Sequence, residues 1–298
     1  MESIYRLHST IDNPCSIYKV YRAPIHTVRL DSLKIKPLIP YPALLLEDSI
    51  KALVIADLHI GWDIELSSKG IHIPSQTFRL KARLREIADK IDADILFILG
   101  DVKHTIASAE LSEWRDIPDF FDEALELFDK VVVVPGNHDG GLELLAPRNV
   151  EITDTKGILW NGIALMHGHT WPRLHLLEAK VMLMGHLHPT ILFRDSFGLR
   201  FSKPVWLRIP FDRDNLVKIY SRRLRKSVEE LTDMIRVEKL IVLPSFNDLL
   251  GGQPVNSIKG SDELLGPILR SESAILDEAE VYIVDGTYIG RLNILRMI

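Results

Sequence analysis

The segment Val131-Val132-Val133-Val134-Pro135-Gly136-Asn137-His138-Asp139 joins four β-branched residues to a turn and then to three polar side chains. Four successive valines favour a strand over a helix. A strand that is apolar on both faces belongs inside a sheet covered on both sides. Pro135-Gly136 ends it, and Asn137, His138 and Asp139 follow at its C-terminal end.

The same arrangement recurs up and down the chain. Lys51–Ala56 runs into Asp57-Leu58-His59, and Ile95–Leu99 into Gly100-Asp101 with His104 close behind. Ile163–Met166 is followed by His167-Gly168-His169, and Val181–Met184 by Gly185-His186-Leu187-His188. Ala43–Leu46 and Lys51–Ala56, around the turn Glu47-Asp48-Ser49, predict a hairpin feeding a buried strand. Leu80, Leu84, Ile87 and Ile91 are spaced as one face of a helix. Residues 110–129 predict a second helix interrupted at Pro118, and 222–236 an amphipathic helix with a charged outer face. Residues 240–243 and 280–284 read as further strands, with turns at Gly251-Gly252 and Asp285-Gly286. Buried strands alternating with helices predict an α/β layered fold.

Composition narrows the function classes. The chain has 298 residues, 46% hydrophobic and 26% charged, with a formal net charge of −5. That excludes a disordered chain and a globally basic nucleic-acid binder, though not a local basic patch. A single cysteine, Cys15, excludes an intrachain disulfide and a thiolate zinc site. Met1–Val20 carries Glu2, Arg6, Asp12 and Pro14 with no continuous apolar run, so no export signal is expected. No window has the length of a membrane span. A soluble cytoplasmic protein with no membrane partner is the expectation.

Ligands bind beyond the C-terminal ends of strands in open α/β sheets. Seven of the eleven histidines (59, 104, 138, 167, 169, 186 and 188) fall there, beside Asp57, Asp101, Asn137 and Asp139. These are nitrogen and oxygen donors without sulfur, a set that suits Mn, Fe or Zn at adjacent positions. Asp57 and His59 are two residues apart and can reach one ion from a segment that bends at its end; His186 and His188 repeat the spacing.

In this order, Asp-x-His, Gly-Asp-x-x-His, Gly-Asn-His-Asp, His-Gly-His and Gly-His-x-His resemble the calcineurin-like metallophosphoesterase superfamily, across residues 57–188. Leu243-Pro244-Ser245-Phe246-Asn247, Leu250-Gly251-Gly252 and Asp285-Gly286-Thr287-Tyr288 resemble a narrower branch, the archaeal phosphoesterases related to SbcD-type repair nucleases. The resemblance implies a four-layer sandwich of two mixed β-sheets flanked by helices. It runs from about Tyr41 to the end, leaving residues 1–40 as an N-terminal extension and 41–298 as a single domain, with a helical insertion at about 221–238.

Carried over residue by residue, the resemblance puts one divalent ion on Asp57, His59, Asp101 and His188. A second falls on Asp101, Asn137, His167 and His186, with Asp101 bridging. Mn²⁺ is the first expectation, with Fe, Zn, Ni or Mg as alternatives. His138 matches the family's catalytic histidine, and His104 a histidine that the nuclease branch uses near the scissile phosphate. His169 and Asp139 read as substrate-facing or bracing positions. The implied activity is phosphodiester hydrolysis by a DNA-processing nuclease on single-stranded or end-exposed DNA. The alternatives are a phosphodiesterase or phosphatase on small nucleotides, and an inactive scaffold for a helicase or ATPase partner. The related repair nucleases are dimers, so a homodimer is a further expectation. Two basic clusters are candidate phosphate contacts: Arg79, Lys81, Arg83 and Arg85, and Arg222, Arg223, Arg225 and Lys226.

Overall fold

The computed structural model describes residues 27–30, 33–106 and 109–296. Cys15 and residues 1–26 of the expected extension lie outside them. Among the described residues, one sheet has seven strands in chain order: β1 (Val28–Leu30), β2 (Leu33–Pro37), β3 (Leu44–Glu47), β4 (Lys51–Ile55), β5 (Ile95–Ile98), β6 (Lys130–Val133) and β7 (Val150–Ile152). β1 to β4 pair antiparallel, and β4 to β7 parallel.

The second sheet holds β8 (Ile158–Trp160), β9 (Ile163–Met166), β10 (Val181–Met184), β11 (Pro189–Arg194), β12 (Arg200–Pro210), β13 (Lys239–Val242), β14 (Gln253–Pro254), β15 (Glu280–Ile283) and β16 (Tyr288–Arg291). Its order is β14-β11-β12-β13-β10-β9-β8, with β15 joining β12 to β16. β9, β10 and β13 are mutually parallel, while β12 runs antiparallel to β13.

The doubly apolar strands are explained by what each face meets. Strand side chains alternate between faces. Leu53, Ile55, Leu96, Ile98, Val131 and Val133 pack under α2 (Thr77–Ala88) and α3 (Leu111–Leu127). Their neighbours Val54, Phe97, Val132 and Val134 point the other way and meet Ile163, Leu165, Leu183 and Ile241 of the second sheet. The far face of that sheet, with Met182, Met184 and Val242, is covered by Leu216, Val217 and Tyr220 of α4 (Arg213–Leu224) and Leu231 of α5 (Val228–Thr232). The result is four layers, helix–sheet–sheet–helix, in which both faces of the central strands leave water. Among the described residues no helix is long and apolar enough to cross a membrane.

Two expectations change. α3 runs through Pro118 without a break, held by Ile117, Phe120, Phe121 and Ala124 on its buried face. The helix expected over 222–236 is two helices. Arg225 takes a left-handed φ of 55°, and Ser227 caps a new start by accepting from Glu230 N. Leu224 and Val228, which stand at helical spacing with Leu231 and Ile235, are 43% and 42% exposed. Their helical spacing therefore spanned a break between two helices.

Candidate metal centre

Asp57 and His59 follow β4, Asp101 follows β5, and Asn137–Asp139 follow β6. From the second sheet, His167 and His169 follow β9, and His186 and His188 follow β10. Parallel pairing within each sheet aligns these ends, and the two sheets face each other, so all the segments meet at one edge. His186 N donates to both carboxylate oxygens of Asp57 at 3.1 Å, which ties the sheets together.

Asp57, His59, Asp101, His186 and His188 have φ of 59°, 43°, 49°, 67° and 44°. The left-handed conformation costs a non-glycine residue roughly 1–2 kcal/mol. Here it turns the chain sharply at each strand end and swings the side chain into the common volume. Two glycines make room. A Cβ at Gly100, whose φ is 76°, would run into the His167 ring, and one at Gly136 into the Asp101 carboxylate.

Among the described residues three groups of ligand-type atoms can hold a metal ion: one is His59, His104 and His138, and the other two share Asp101. In Asp57, His59, Asp101 and His188, and again in Asp101, His167 and His186, the atoms lie within 4.8 Å of one another. Asp101 belongs to both. Its Oδ2 is 3.4 Å from His59 Nε2 and 3.4 Å from His167 Nε2. Asn137 Oδ1 is 3.2 Å from His167 Nε2 and joins the second group.

Hydrogen bonds behind the rings orient their lone pairs. His167 Nδ1 donates to Leu99 O at 2.9 Å, so Nε2 faces His186 Nδ1 at 3.1 Å. His104 Nε2 donates to Glu65, which leaves its Nδ1 to accept from His59 Nδ1 at 3.2 Å. His59 Nε2 then faces His188 Nε2 at 3.3 Å. Acceptors converging on acceptors repel one another unless a cation or a proton lies between them.

The titration behaviour agrees. Burial pushes His59 down to about 4, and burial with the neighbouring His167 pushes His186 down to about 3. Burial alone would raise the carboxyl of Asp57, but His188 and His167 hold it below its ordinary value. Asp101 is likewise driven up by burial and, more strongly, down by His167 and His59. Burial opposes protonation of His167, yet the two carboxylates raise it to about 9. The same two carboxylates would favour a metal cation beside His167 Nε2. The donor set therefore fits divalent ions.

The remaining expected residues are close by. His138 N donates to Asp101 Oδ1 at 3.0 Å, and its Nδ1 donates to His104 O. Its Nε2 is thereby turned inward, 4.0 Å from Asp101 Oδ2. His104 stacks on it at 5.8 Å, and both line an open cavity of about 500 Å³. Asp139 accepts from Gly136 N at 2.8 Å, Val102 N at 2.8 Å and Lys103 N at 3.2 Å. It braces the loops rather than facing the cleft, and burial raises its carboxyl to about 6. His169 sits 5.3 Å from the His167 ring, and its buried Nδ1 has no partner among the described residues.

Further bracing residues were given no role from the sequence, although Ser245 and Asn247 lie in the quoted 243–247 motif. Glu113, fully buried in α3, accepts from His104 N at 3.0 Å and Thr105 N at 2.9 Å. Ser245 Oγ donates to Asp57 O at 2.8 Å, and Asn247 Nδ2 to Leu58 O at 3.0 Å. The only signal for Glu113 was an acid where the helix period calls for an apolar residue. The first basic cluster is neutralised internally: Arg79 and Arg83 pair with Asp248, Lys81 with Asp119, and Arg85 with Glu123. In the second, Lys226 pairs with Glu230 and Arg223 lies over Trp171.

A four-layer sandwich with this cleft at its sheet edges defines a metal-dependent phosphoesterase, a hydrolase of phosphoric esters. The sequence model of the calcineurin-like phosphoesterase family matches residues 50–221, more than half of the chain, which belongs to that family. The crystal structure of the nuclease MPE from Pseudomonas putida is similar in fold. Identity is 20%, covering 88% of this chain and 98% of that one, with a TM-score of 0.52. Yfce, a phosphoesterase from E. coli, matches over 49% of this chain and 74% of its own, at 22% identity and a TM-score of 0.32. No curated protein matches the chain.

Proposed function

We propose that the protein is a two-metal phosphodiesterase that cleaves nucleic acid, akin to the archaeal enzymes related to SbcD-type repair nucleases. The observation that carries the reading is Asp101, shared between two converging sets of acceptors. Asp57, His59, Asp101 and His188 would hold one ion, and Asp101, Asn137, His167 and His186 the other, with Mn²⁺ the first candidate. Such ions, when bound, activate water and neutralise charge on the phosphoryl oxygens. His138 presents Nε2 to the cleft with Nδ1 fixed on the His104 carbonyl, an arrangement suited to protonating the leaving oxygen. His104 orients His59 and lines the cavity into which a flanking nucleotide extends. The fold shared with the nuclease MPE over nearly its whole length supports nucleic acid as the substrate class.

The test is a Mn²⁺-supplemented panel of single-stranded, duplex and structured DNA, RNA and small aryl or nucleotide diesters. Cleavage of single-stranded or end-exposed DNA, abolished by chelation, is the expected result. Turnover of small diesters with no nucleic-acid cleavage would replace this reading with a small-nucleotide phosphodiesterase. Full activity after exhaustive chelation would end the two-metal assignment.

A further inference from the structure

The hairpin of β11 and β12 leaves the metal edge directly after His188, and the cleft chemistry gives it no role. Its register pairs Thr190 with Pro204, Leu192 with Ser202, and Arg194 with Arg200. By alternation these residues share one face. Near the base of that face, Thr190, Ser202 and Pro204 line a cavity of about 490 Å³ together with His188 and Asn247. Further out, roughly 13 Å from Thr190 at strand spacing, Arg194 and Arg200 lie directly opposite each other and are exposed.

Like charges opposed across a strand pair are destabilising. Among the described residues, neither arginine has a carboxylate partner. The nearby acid, Asp195, is engaged within the turn, where it accepts from Phe197 N at 2.9 Å and Leu199 N at 2.8 Å. Residues 189–204 hold Arg194, Arg200 and Lys203 against that single acid, in a chain of net charge −5. Phe197 stands at the tip, 95% exposed. On the opposite face Phe193 and Phe201 stack at 5.4 Å and 19°, which stiffens the arm.

Building on the nuclease reading, we propose that this hairpin is a binding arm for the single strand flanking the scissile phosphate. Arg194 and Arg200 hold the backbone between them, and Phe197 stacks on an unpaired base. Guanidinium forks match phosphate oxygens, and an aromatic face accepts any base. The cavity beside His188 connects the arm to the metal edge, so one strand can occupy both.

The full chain carrying Arg194→Ala and Arg200→Ala, and separately Phe197→Ala, is to be compared with wild type on a single-stranded oligonucleotide with Mn²⁺ over a salt series. The double variant is expected to raise KM on the order of tenfold at low salt, as for lost charge-assisted contacts. Its log–log salt slope is expected to shrink by about 1.4, from about 0.7 per single-strand phosphate contact. Turnover of a small aryl diester reports whether the metal centre survived the substitutions. If wild type cleaves the oligonucleotide and the double variant keeps the same KM and salt slope, the arm assignment falls and the nuclease reading stands. A wild-type enzyme that hydrolyses the aryl diester but no DNA or RNA overturns both. Unchanged KM with loss of self-association in sedimentation would assign the hairpin to a second copy of the chain and overturn the nucleic-acid assignment.

Discussion

At the residue scale, the site depends on backbone conformations that most side chains avoid. Five cleft residues adopt left-handed φ, and two of the intervening glycines admit a ring and a carboxylate where a Cβ would stand. Gly136→Ala is therefore expected to displace the Asp101 carboxylate and weaken both metal positions, measured as lost metal content at an intact circular dichroism spectrum. His138→Ala is a different case, because its ring faces the cleft while its backbone N–H holds Asp101. That variant is expected to retain both ions by elemental analysis and to lose turnover by about 10²–10⁴-fold, the range of general acid catalysis. Release of metal would make His138 a ligand instead. The types and order of these side chains were legible in the motifs. Their tautomers were not, because those depend on Leu99 O and on the His104–Glu65 contact, which join segments distant in sequence.

At the scale of elements, the strands do double work. Their alternation buries both faces, and their shared direction delivers the terminal loops to one edge. The valine run and its counterparts made this readable, since such strands have no other place in a folded chain. α3 was readable in extent, but its role was not. Glu113 reaches back from it to the backbone of His104 and Thr105. Removing this carboxylate takes away the charged acceptor of both N–H groups, at about 1.5–3 kcal/mol per hydrogen bond, although His104 N keeps Ile60 O at 3.0 Å. Glu113→Ala is thus expected to lower Tm in a thermal melt and to reduce diesterase activity with metal content kept, because the loop carrying His104 shifts. Unchanged activity at a lowered Tm would limit Glu113 to stability. The 222–236 segment shows the opposite error. Apolar spacing of three and four continued across a helix break, and only the left-handed Arg225 with the Ser227 cap separates the two helices.

For the whole molecule, the cleft joins two sheets around two buried carboxylates, and cation binding is therefore coupled to stability. An ion that binds only the folded chain stabilises it by about 2.7 kcal/mol at a hundredfold excess over Kd. For a chain of 298 residues that is a rise in Tm of roughly 4 °C. Mn²⁺ added to chelator-treated protein is expected to produce such a rise in differential scanning calorimetry, and an absent shift would count against occupancy of the cleft. The net charge of −5 sets no obstacle to an anionic substrate, since on the proposed reading the needed positive charge would come from bound ions and from Arg194 and Arg200. The sequence by itself determined the layered class and which polar side chains stand at the strand ends. These follow from local patterns of apolar residues, glycine and polar termini. Only the tertiary structure decided that Asp139 and Glu113 brace loops, that the first basic cluster is spent on internal ion pairs, and that two arginines without a carboxylate partner among the described residues face each other on the hairpin. Those facts depend on register and on the approach of one sheet to the other, and no local pattern encodes which distant residue lies opposite.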